Sequence, residues 1–157
     1  PVRIAAGTMW DRVAAGGSHS CAIAIDGTLW CWGRNGAGQL GTGTVGIDLH
    51  VPTRVPGTGW DSVYAGAQHT CAIRTSDRSL HCWGSNMFGQ LGTGSGGASE
   101  SAPTPIGTAA WSSLSLGTNH SCGIQTGGSV YCWGQNRQGQ LGVGDTTDRG
   151  SPTRVCF

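Results

Sequence analysis

The chain repeats one block of residues three times in the same internal order. Trp10, Trp60 and Trp111 open the blocks and lie 50 and 51 residues apart. Each block continues with a His-Ser/Thr-Cys triplet, a Cys-Trp-Gly triplet and a Gly-Gln-Leu-Gly turn. A period of this length is typical of stacked supersecondary units that need their neighbours to bury their apolar surfaces. Residues that recur in every block are therefore expected to be architectural, which disfavours an enzyme.

Glycine interrupts the chain too often for long helices to form. The 157 residues include 29 glycines, and no segment shows a sustained apolar period of 3.6 residues. Short strands joined by tight turns are the alternative, so the sequence predicts an all-β fold. No apolar run approaches the roughly 18 residues of a membrane span, and we expect no membrane insertion.

The charges are balanced and scattered. The chain has nine arginines and eight Asp and Glu residues, and it contains no lysine. Proteins that neutralise phosphates carry clustered cations, and no basic stripe is present in the sequence. We therefore expect no nucleic acid among the partners.

We interpret each block as four short strands, and short apolar runs mark all four in the first and third blocks and three in the second. In the first block these lie near 13–15, 20–25, 29–32 and 53–55. In the second they lie near 63–65, 70–74 and 80–83, and in the third near 114–116, 121–125, 130–133 and 153–155. A further copy of the fourth run occurs at residues 2–4. Glycines after the first and third runs can supply the turns.

The motifs resemble the repeats of the regulator of chromosome condensation family. The resemblance rests on the opening tryptophan, His-Ser-Cys-Ala-Ile, Trp-Gly, Gly-Gln-Leu-Gly and a Pro-Thr-Arg-Val return. It implies β-propeller blades, with one four-stranded antiparallel blade in each of three tandem repeats, at about 1–51, 52–102 and 103–157. Propellers of the family usually close with roughly seven blades, within the range known for such rings. We therefore expect either part of a longer repeat domain or a ring completed by other copies of the chain, and we favour the first.

Six cysteines form pairs that flank the turn between the second and third strands. A three-residue loop ending at Gly27 would place Cys21 opposite Cys31, because the two strands count back in register. The same count places Cys122 opposite Cys132, and an even loop around Ser76-Asp77 or 75–78 places Cys71 opposite Cys82. Facing residues lie roughly 4.5–5.5 Å apart, within reach of a disulfide.

Two interpretations of these cysteines remain open. Cross-strand disulfides imply an oxidising compartment and an extracellular or secreted protein, whereas reduced thiols would simply fill the core. We favour the disulfides. Zinc is disfavoured because the spacings lack Cys-x-x-Cys pairs, so no metal site is expected. Cys156 lacks a periodic partner and is either an unpaired thiol or a link to another segment or chain.

The periodic histidines and the Gly-Gln-Leu-Gly turns are expected to be structural. His19, His69 and His120 recur in all three blocks, whereas a catalytic triad is assembled once, so we expect hydrogen bonding at the start of the second strand. The turns lack the lysine and following helix of a phosphate loop, and we expect their leucines to fill the gap between blades. No catalytic residue and no cofactor are predicted.

Partner contacts are expected where the repeats differ from one another. Trp30, His81 and Tyr131 share one position in the period but differ, which suggests a half-exposed aromatic site. The connections at 42–51 and 93–101 differ in length and chemistry, and loops on a rigid scaffold often carry recognition. The two carboxylates at 145–148 suit a solvated turn better than a calcium loop. Asn119-His120-Ser121 is an N-glycosylation sequon, so we expect a glycan at Asn119 if the protein is secreted.

The sequence as a whole predicts a non-enzymatic extracellular structural or protein-interaction module. Its partner would be another protein or further copies of the repeat. The alternative suggested by the family resemblance is a secreted propeller that inhibits an enzyme by capping its active site, as a relative does with β-lactamases. A guanine-nucleotide exchange factor, the role of the nuclear members, is disfavoured by the paired cysteines and the missing basic patch.

Overall fold

Short antiparallel strands make up the regular structure, as the frequent glycines predict. A computed structural model describes residues 7–156. Eleven strands lie in this part of the chain. The fourth-strand copy predicted at residues 2–4 lies outside the described residues. No helix among residues 7–156 is long and apolar enough to cross a membrane.

The first repeat forms a single four-stranded antiparallel sheet. Its strands are β1 (Trp10–Ala15), β2 (His19–Ala24), β3 (Leu29–Gly33) and β4 (Leu49–Arg54). They lie in the order β1-β2-β3-β4, so each strand pairs with its neighbour in sequence. This up-and-down arrangement is that of a propeller blade, and it confirms the predicted fold class.

The second and third repeats form two further blades by the same pairing. Their strands are β5 (Trp60–Ala65), β6 (His69–Arg74), β7 (Ser79–Gly84), β8 (Glu100–Leu116), β9 (His120–Gln125), β10 (Val130–Gly134) and β11 (Arg149–Arg154). The first half of β8 completes the second blade and its second half opens the third, so both blades belong to one seven-stranded sheet.

The continuity of β8 differs from the sequence prediction, which placed a separate strand near 114–116 and located no fourth run in the second block. Ser79 pairs with Ala110, and this pairing keeps the junction within the sheet. The equivalent of Ala110 in the first junction is Gly59, which has a φ of 74°. β4 and β5 remain separate, whereas β8 continues through Gly107 although that residue also has a positive φ, of 60°.

The turns between the second and third strands have the predicted lengths. In the first blade Ala24 donates its backbone N–H to Thr28, and Gly27 closes the loop with a φ of 75°. Gly128 has the same role in the third blade, with a φ of 84°. The second blade uses the four-residue loop 75–78, in which Arg78 adopts the left-handed conformation at a φ of 59°.

The core lies between the blades. One cluster joins the outward side of the first blade, including Ile23, Leu29 and Leu40, to Trp60 and Trp83 of the second. An equivalent cluster joins Ile73, Leu80 and Leu91 of the second blade to Trp111 and Trp133 of the third. The Gly-Gln-Leu-Gly leucines therefore fill the gap between blades, as predicted.

Two blade faces lack a neighbour among the described residues. We call the exposed side of the first blade, around Val13, the leading face, and the exposed side of the third blade, around Ile124, the trailing face. Val13 is 74% exposed, whereas its counterparts Val63 and Leu114 are 6% and 8% exposed. Ile124 is 41% exposed, whereas its counterparts Ile23 and Ile73 are 1% and 0% exposed. The side chains are of the same kind, so the difference comes from the missing neighbour.

Candidate functional site

A disulfide crosses each blade between its second and third strands. Cys21, Cys71 and Cys122 lie directly opposite Cys31, Cys82 and Cys132 in the strand register. The three pairs are bonded, with Cα atoms 4.1 Å apart in each, slightly closer than the separation expected from the sequence. Five of the six cysteines are buried, and Cys122 on the trailing face is half-buried.

A repeated set of hydrogen bonds joins each blade to the next. His19 Nε2 lies 2.8 Å from the hydroxyl oxygen of Thr70, which donates to the Gln39 carbonyl oxygen at 2.8 Å. Trp83 donates its indole N–H to the same carbonyl at 2.9 Å. We call this arrangement the polar seam. His19 therefore forms a hydrogen bond at the start of the second strand, as predicted, and its partner lies on the following blade.

The histidine and hydroxyl contacts of the polar seam recur between the second and third blades, whereas the Trp133 indole N–H has no hydrogen-bond partner among the described residues. His69 Nε2 lies 3.0 Å from the Ser121 hydroxyl, which donates to the Gln90 carbonyl at 2.8 Å. Burial lowers the pKa of His19 to about 4. Burial, together with the nearby His19 and His120, lowers the pKa of His69 to about 3. These imidazoles are neutral at physiological pH and serve as hydrogen-bonding groups.

A buried asparagine fixes each connection between the third and fourth strands. Asn35 accepts from the Leu40 backbone N–H at 3.2 Å and donates its amide to the Thr44 carbonyl at 3.0 Å. Asn86 and Asn136 form the equivalent bonds in the other blades. Sequence analysis overlooked these residues, although each stands three positions after the Trp of the Cys-Trp-Gly triplet and so recurs with the period.

The fixed connections present apolar side chains to solvent on one side of the blades. We call the surface formed by the connections 34–48, 85–99 and 135–148 the loop face, since all three join the same ends of equivalent strands. Val45, Ile47 and Met87 lie on it and are 53%, 61% and 70% exposed. The sequence pointed to the connections at 42–51 and 93–101, but it did not single out these three side chains.

The variable aromatic position is half-exposed and packs within its own blade. Trp30, His81 and Tyr131 each meet the opening tryptophan of their blade edge to face, with ring centroids 6.4, 5.5 and 5.9 Å apart. A cleft of about 500 Å³ lies beside Tyr131 in the third blade. In the second blade the Arg74 guanidinium covers Trp60 at 3.7 Å from the ring centroid. A role for this position in partner contacts stays a prediction.

The sequon and the last cysteine have distinct environments. Asn119 is half-buried and donates its amide to the Gln135 side-chain oxygen at 3.2 Å. Ser121 of the sequon is buried in the polar seam. Modification would therefore have to precede folding, and the glycan stays a prediction. Cys156 is exposed and unbonded among the described residues, and an external partner for it also stays a prediction.

Titratable side chains are dispersed over the described blades. No group of three or more His, Cys, Asp or Glu residues within 7–156 has the geometry to hold a metal ion. The two carboxylates of the 145–148 turn are engaged internally, since Asp145 pairs with Arg149 at 2.6 Å and Asp148 accepts from the Asn136 backbone at 2.7 Å. The loop face remains available for contacts.

Comparison with known sequences identifies the repeat. A sequence model described as regulator of chromosome condensation (RCC1) repeat matches residues 26–73, 78–124 and 127–157. A second model of the same description matches 10–39, 60–90 and 111–140. The Protein RCC2 homolog of Xenopus laevis is 33% identical over 98 residues, which cover 60% of this chain and 19% of that protein. The Ultraviolet-B receptor UVR8 of Arabidopsis thaliana is 35% identical over 96 residues, which cover 60% of this chain and 22% of that protein. The chain thus spans about a fifth of the length of these relatives.

Solved structures share the blade arrangement. Yeast RCC1 (Prp20), in its complex with Kap60, superposes with a TM-score of 0.85 at 25% identity, over 94% of this chain and 37% of that one. The CRINKLY WD40 ectodomain of the Arabidopsis thaliana receptor kinase ACR4 gives a TM-score of 0.55 at 24% identity, over 99% of this chain and 42% of that one. The second likeness concerns the fold alone.

Proposed function

Because the chain belongs to the regulator of chromosome condensation (RCC1) repeat family, we propose that it is a non-enzymatic protein-interaction module of an extracellular or secreted protein. Its blades would hold the loop face rigid, and a partner protein would bind that face by shape and apolar contact. Proteins similar to this chain include the Ultraviolet-B receptor UVR8 and yeast RCC1 (Prp20), which was crystallised bound to Kap60. The periodic residues are used in packing and in the polar seam, which leaves the loops for recognition.

One observation carries the interaction role. Val45, Ile47 and Met87 are exposed on connections that buried asparagines hold in place. Apolar side chains presented on an ordered surface gain contact energy without a large ordering cost, which is the property of a protein-binding site. The extracellular compartment is supported by the cross-strand disulfide in each blade, because such bonds persist in oxidising environments.

The interaction role is tested by comparing charged variants as immobilised baits. The double variant Val45→Asp/Met87→Asp should lose the partner that the unaltered chain retains from the extracellular fraction of its source. The control is Val51→Asp, which charges a similarly exposed valine on β4. A partner retained equally by all three baits would exclude the loop face. Partners drawn only from secreted enzymes, with loss of their activity on binding, would favour the inhibitor over the scaffold.

The compartment is tested separately on the protein from its native source. Mass spectrometry without reduction should find the six paired cysteines bonded and a glycan on Asn119. Six free thiols would overturn the extracellular assignment, and an unmodified Asn119 in disulfide-bonded protein would overturn the glycan alone.

A further inference from the structure

The cleft beside Tyr131 lies at the junction of the second and third blades. Its walls come from the connection and fourth strand of the second blade and from three strands of the third. Its volume of about 500 Å³ is within the range of roughly 300–1,000 Å³ that is typical of small-ligand sites. We propose that this cleft binds a residue of a neutral sugar.

The matching region of the first junction has a different chemistry. Arg74 lies opposite Trp60 in the strand register, and its guanidinium covers the Trp60 ring and donates to the Thr58 carbonyl oxygen. A cavity of about 510 Å³ beside it is lined by Arg74, Asp77 and His81, so its walls carry titratable groups. The two junctions share one framework, and the side chains around the cavity are what differ.

None of the described residues that line the cleft of the second junction has a charged side chain. Pro105 occupies the position that Arg54 and Arg154 have in the other two blades. Gln125 lies opposite the opening tryptophan of its blade, as Arg74 does in the second blade. The walls therefore suit a neutral ligand, because an ionised group placed there would lose water without gaining a partner of opposite charge.

The polar groups of the cleft are hydroxyl groups and an amide. The Thr93 hydroxyl accepts from the Asn86 side-chain amide at 3.1 Å, so its own hydrogen is available to a ligand. The Thr104 hydroxyl donates to the Ala102 carbonyl at 3.1 Å, so its lone pairs are available. The Gln125 amide can both donate and accept. A ligand with several neutral groups that donate and accept matches this set, and sugar hydroxyl groups have that property.

Tyr131 provides an aromatic wall. Its half-exposed ring meets Trp111 edge to face, with the ring centroids 5.9 Å apart, which fixes its orientation. A sugar ring has an apolar face of C–H groups and a rim of hydroxyl groups, so it can contact the aromatic ring and the polar groups of the cleft together. A proline-rich peptide would contact the aromatic ring but has few side-chain groups for the hydroxyls and the amide. The sugar is therefore the better match.

Three variants test the site. Gln125→Arg introduces the residue that the second blade has at this position, which should place a guanidinium in the cleft while preserving a fold that already accepts it. Tyr131→Ala removes the aromatic wall. The control, Gln138→Arg, makes the same chemical change at an exposed position of the loop face. Circular dichroism and a mass measurement without reduction show whether each variant is folded and disulfide-bonded.

Binding is measured first on an array and then in solution. The array carries neutral oligosaccharides of glucose, galactose, mannose and N-acetylglucosamine, together with sulfated and sialylated ones and a decaproline peptide. Titration calorimetry then gives the Kd of the neutral oligosaccharide that the unaltered chain retains most strongly. We expect the unaltered chain and Gln138→Arg to bind it equally. Gln125→Arg and Tyr131→Ala should each weaken binding by roughly tenfold or more, because each removes part of the site.

Four results would overturn the proposal. The first is that no neutral oligosaccharide binds the unaltered chain. The second is that the sulfated or sialylated probes bind more tightly than the neutral ones. The third is a sugar that all four proteins bind with the same Kd, since that sugar would occupy another surface. The fourth is decaproline as the only probe whose binding Gln125→Arg abolishes, which would assign the cleft to a peptide.

Discussion

The hydroxyl of the polar seam fixes the protonation of the histidine that contacts it. Thr70 has one hydroxyl hydrogen and gives it to the Gln39 carbonyl, so the hydrogen shared with His19 must come from Nε2. Nδ1 is then an unprotonated acceptor, and it has no hydrogen-bond partner. Its ring lies against Gly16, where a side chain would collide with it. The glycine before each periodic histidine is therefore a packing requirement.

Substitution of Gly66 tests this requirement. A methyl group there would overlap the His69 ring and lie 2.8 Å from the Gly117 carbonyl oxygen. We expect Gly66→Ala to lower the free energy of unfolding by about 1–3 kcal/mol through overpacking. Denaturant titration followed by tryptophan fluorescence measures the change. The matched control is Gly127→Ala, where no heavy atom lies within 4 Å; equal effects of the two variants would contradict the explanation.

The hairpin of the second and third strands is the element that the cysteines stabilise. Loop length and cysteine spacing change together, since the second blade has a four-residue loop and a separation of 11 residues while the others have three-residue loops and separations of 10. The facing register is preserved in all three blades. Each bond closes a short segment, and it stabilises the hairpin mainly by restricting the unfolded chain.

Removal of any one of the three disulfides should lower the free energy of unfolding by a similar amount. We expect Cys71→Ala/Cys82→Ala to lower the free energy of unfolding by up to roughly 3 kcal/mol, the loop-closure value for a segment of this length. Denaturant titration under non-reducing conditions gives the difference. Cys156→Ala replaces an exposed, unbonded thiol and should change stability by less than about 0.5 kcal/mol. A bond whose loss has no larger effect than this control would not stabilise the blade.

The hairpins could be predicted from local sequence patterns. Features that depend on contacts with other parts of the fold could not. The facing positions of the paired cysteines could be predicted from the number of residues in each turn, because that number depends only on neighbouring residues. The fusion of β8 could not be predicted, because it depends on the pairing of Ala110 with Ser79 of the neighbouring strand. The exposure of Val13 was equally hidden, since its sequence context matches that of buried Val63 and only the neighbouring blade differs. Asn35 was available from its periodicity but was overlooked.

The stack of blades brings its histidines into one row, so the whole molecule responds to acid. His69 lies between His19 and His120, and burial lowers the pKa of all three. In the unfolded chain each would titrate near its ordinary value of 6.5. The contribution of these neutral histidines to the free energy of unfolding is therefore complete above pH 6.5. It declines as the pH falls from 6.5 toward the pKa of the folded state, about 4 for His19 and about 3 for His69.

Stability should consequently fall between pH 6.5 and pH 4.5. We expect a loss of at least about 1 kcal/mol in the free energy of unfolding over this window, because the unfolded chain binds the extra protons. Hydrogen bonds to Ser79 and Thr28 lower the pKa of Asp77 and Asp26, so these carboxyl groups stay ionised there. Denaturant midpoints measured at several pH values give the slope.

Two variants test whether the histidines of the polar seam cause the pH dependence of the free energy of unfolding. His69→Gln keeps an N–H that can reach Ser121 but cannot be protonated, so its stability should depend less steeply on pH. His50→Gln removes an exposed histidine from β4 and should leave the slope of the unaltered chain unchanged. A slope that is identical in all three proteins would exclude the buried histidines as its source.

The polar seam also restricts how the number of repeats in such a protein can change. At both junctions the later blade donates a hydroxyl to a carbonyl of the earlier blade and meets an imidazole of that blade, as the contacts among His19, Thr70 and Gln39 illustrate. Duplication or deletion of one complete repeat would rejoin a donor to an acceptor of the same kind. Loss of part of a repeat would strand polar groups inside the core, at a cost of about 1–3 kcal/mol each. Insertions and deletions in this architecture are thus expected to comprise whole repeats.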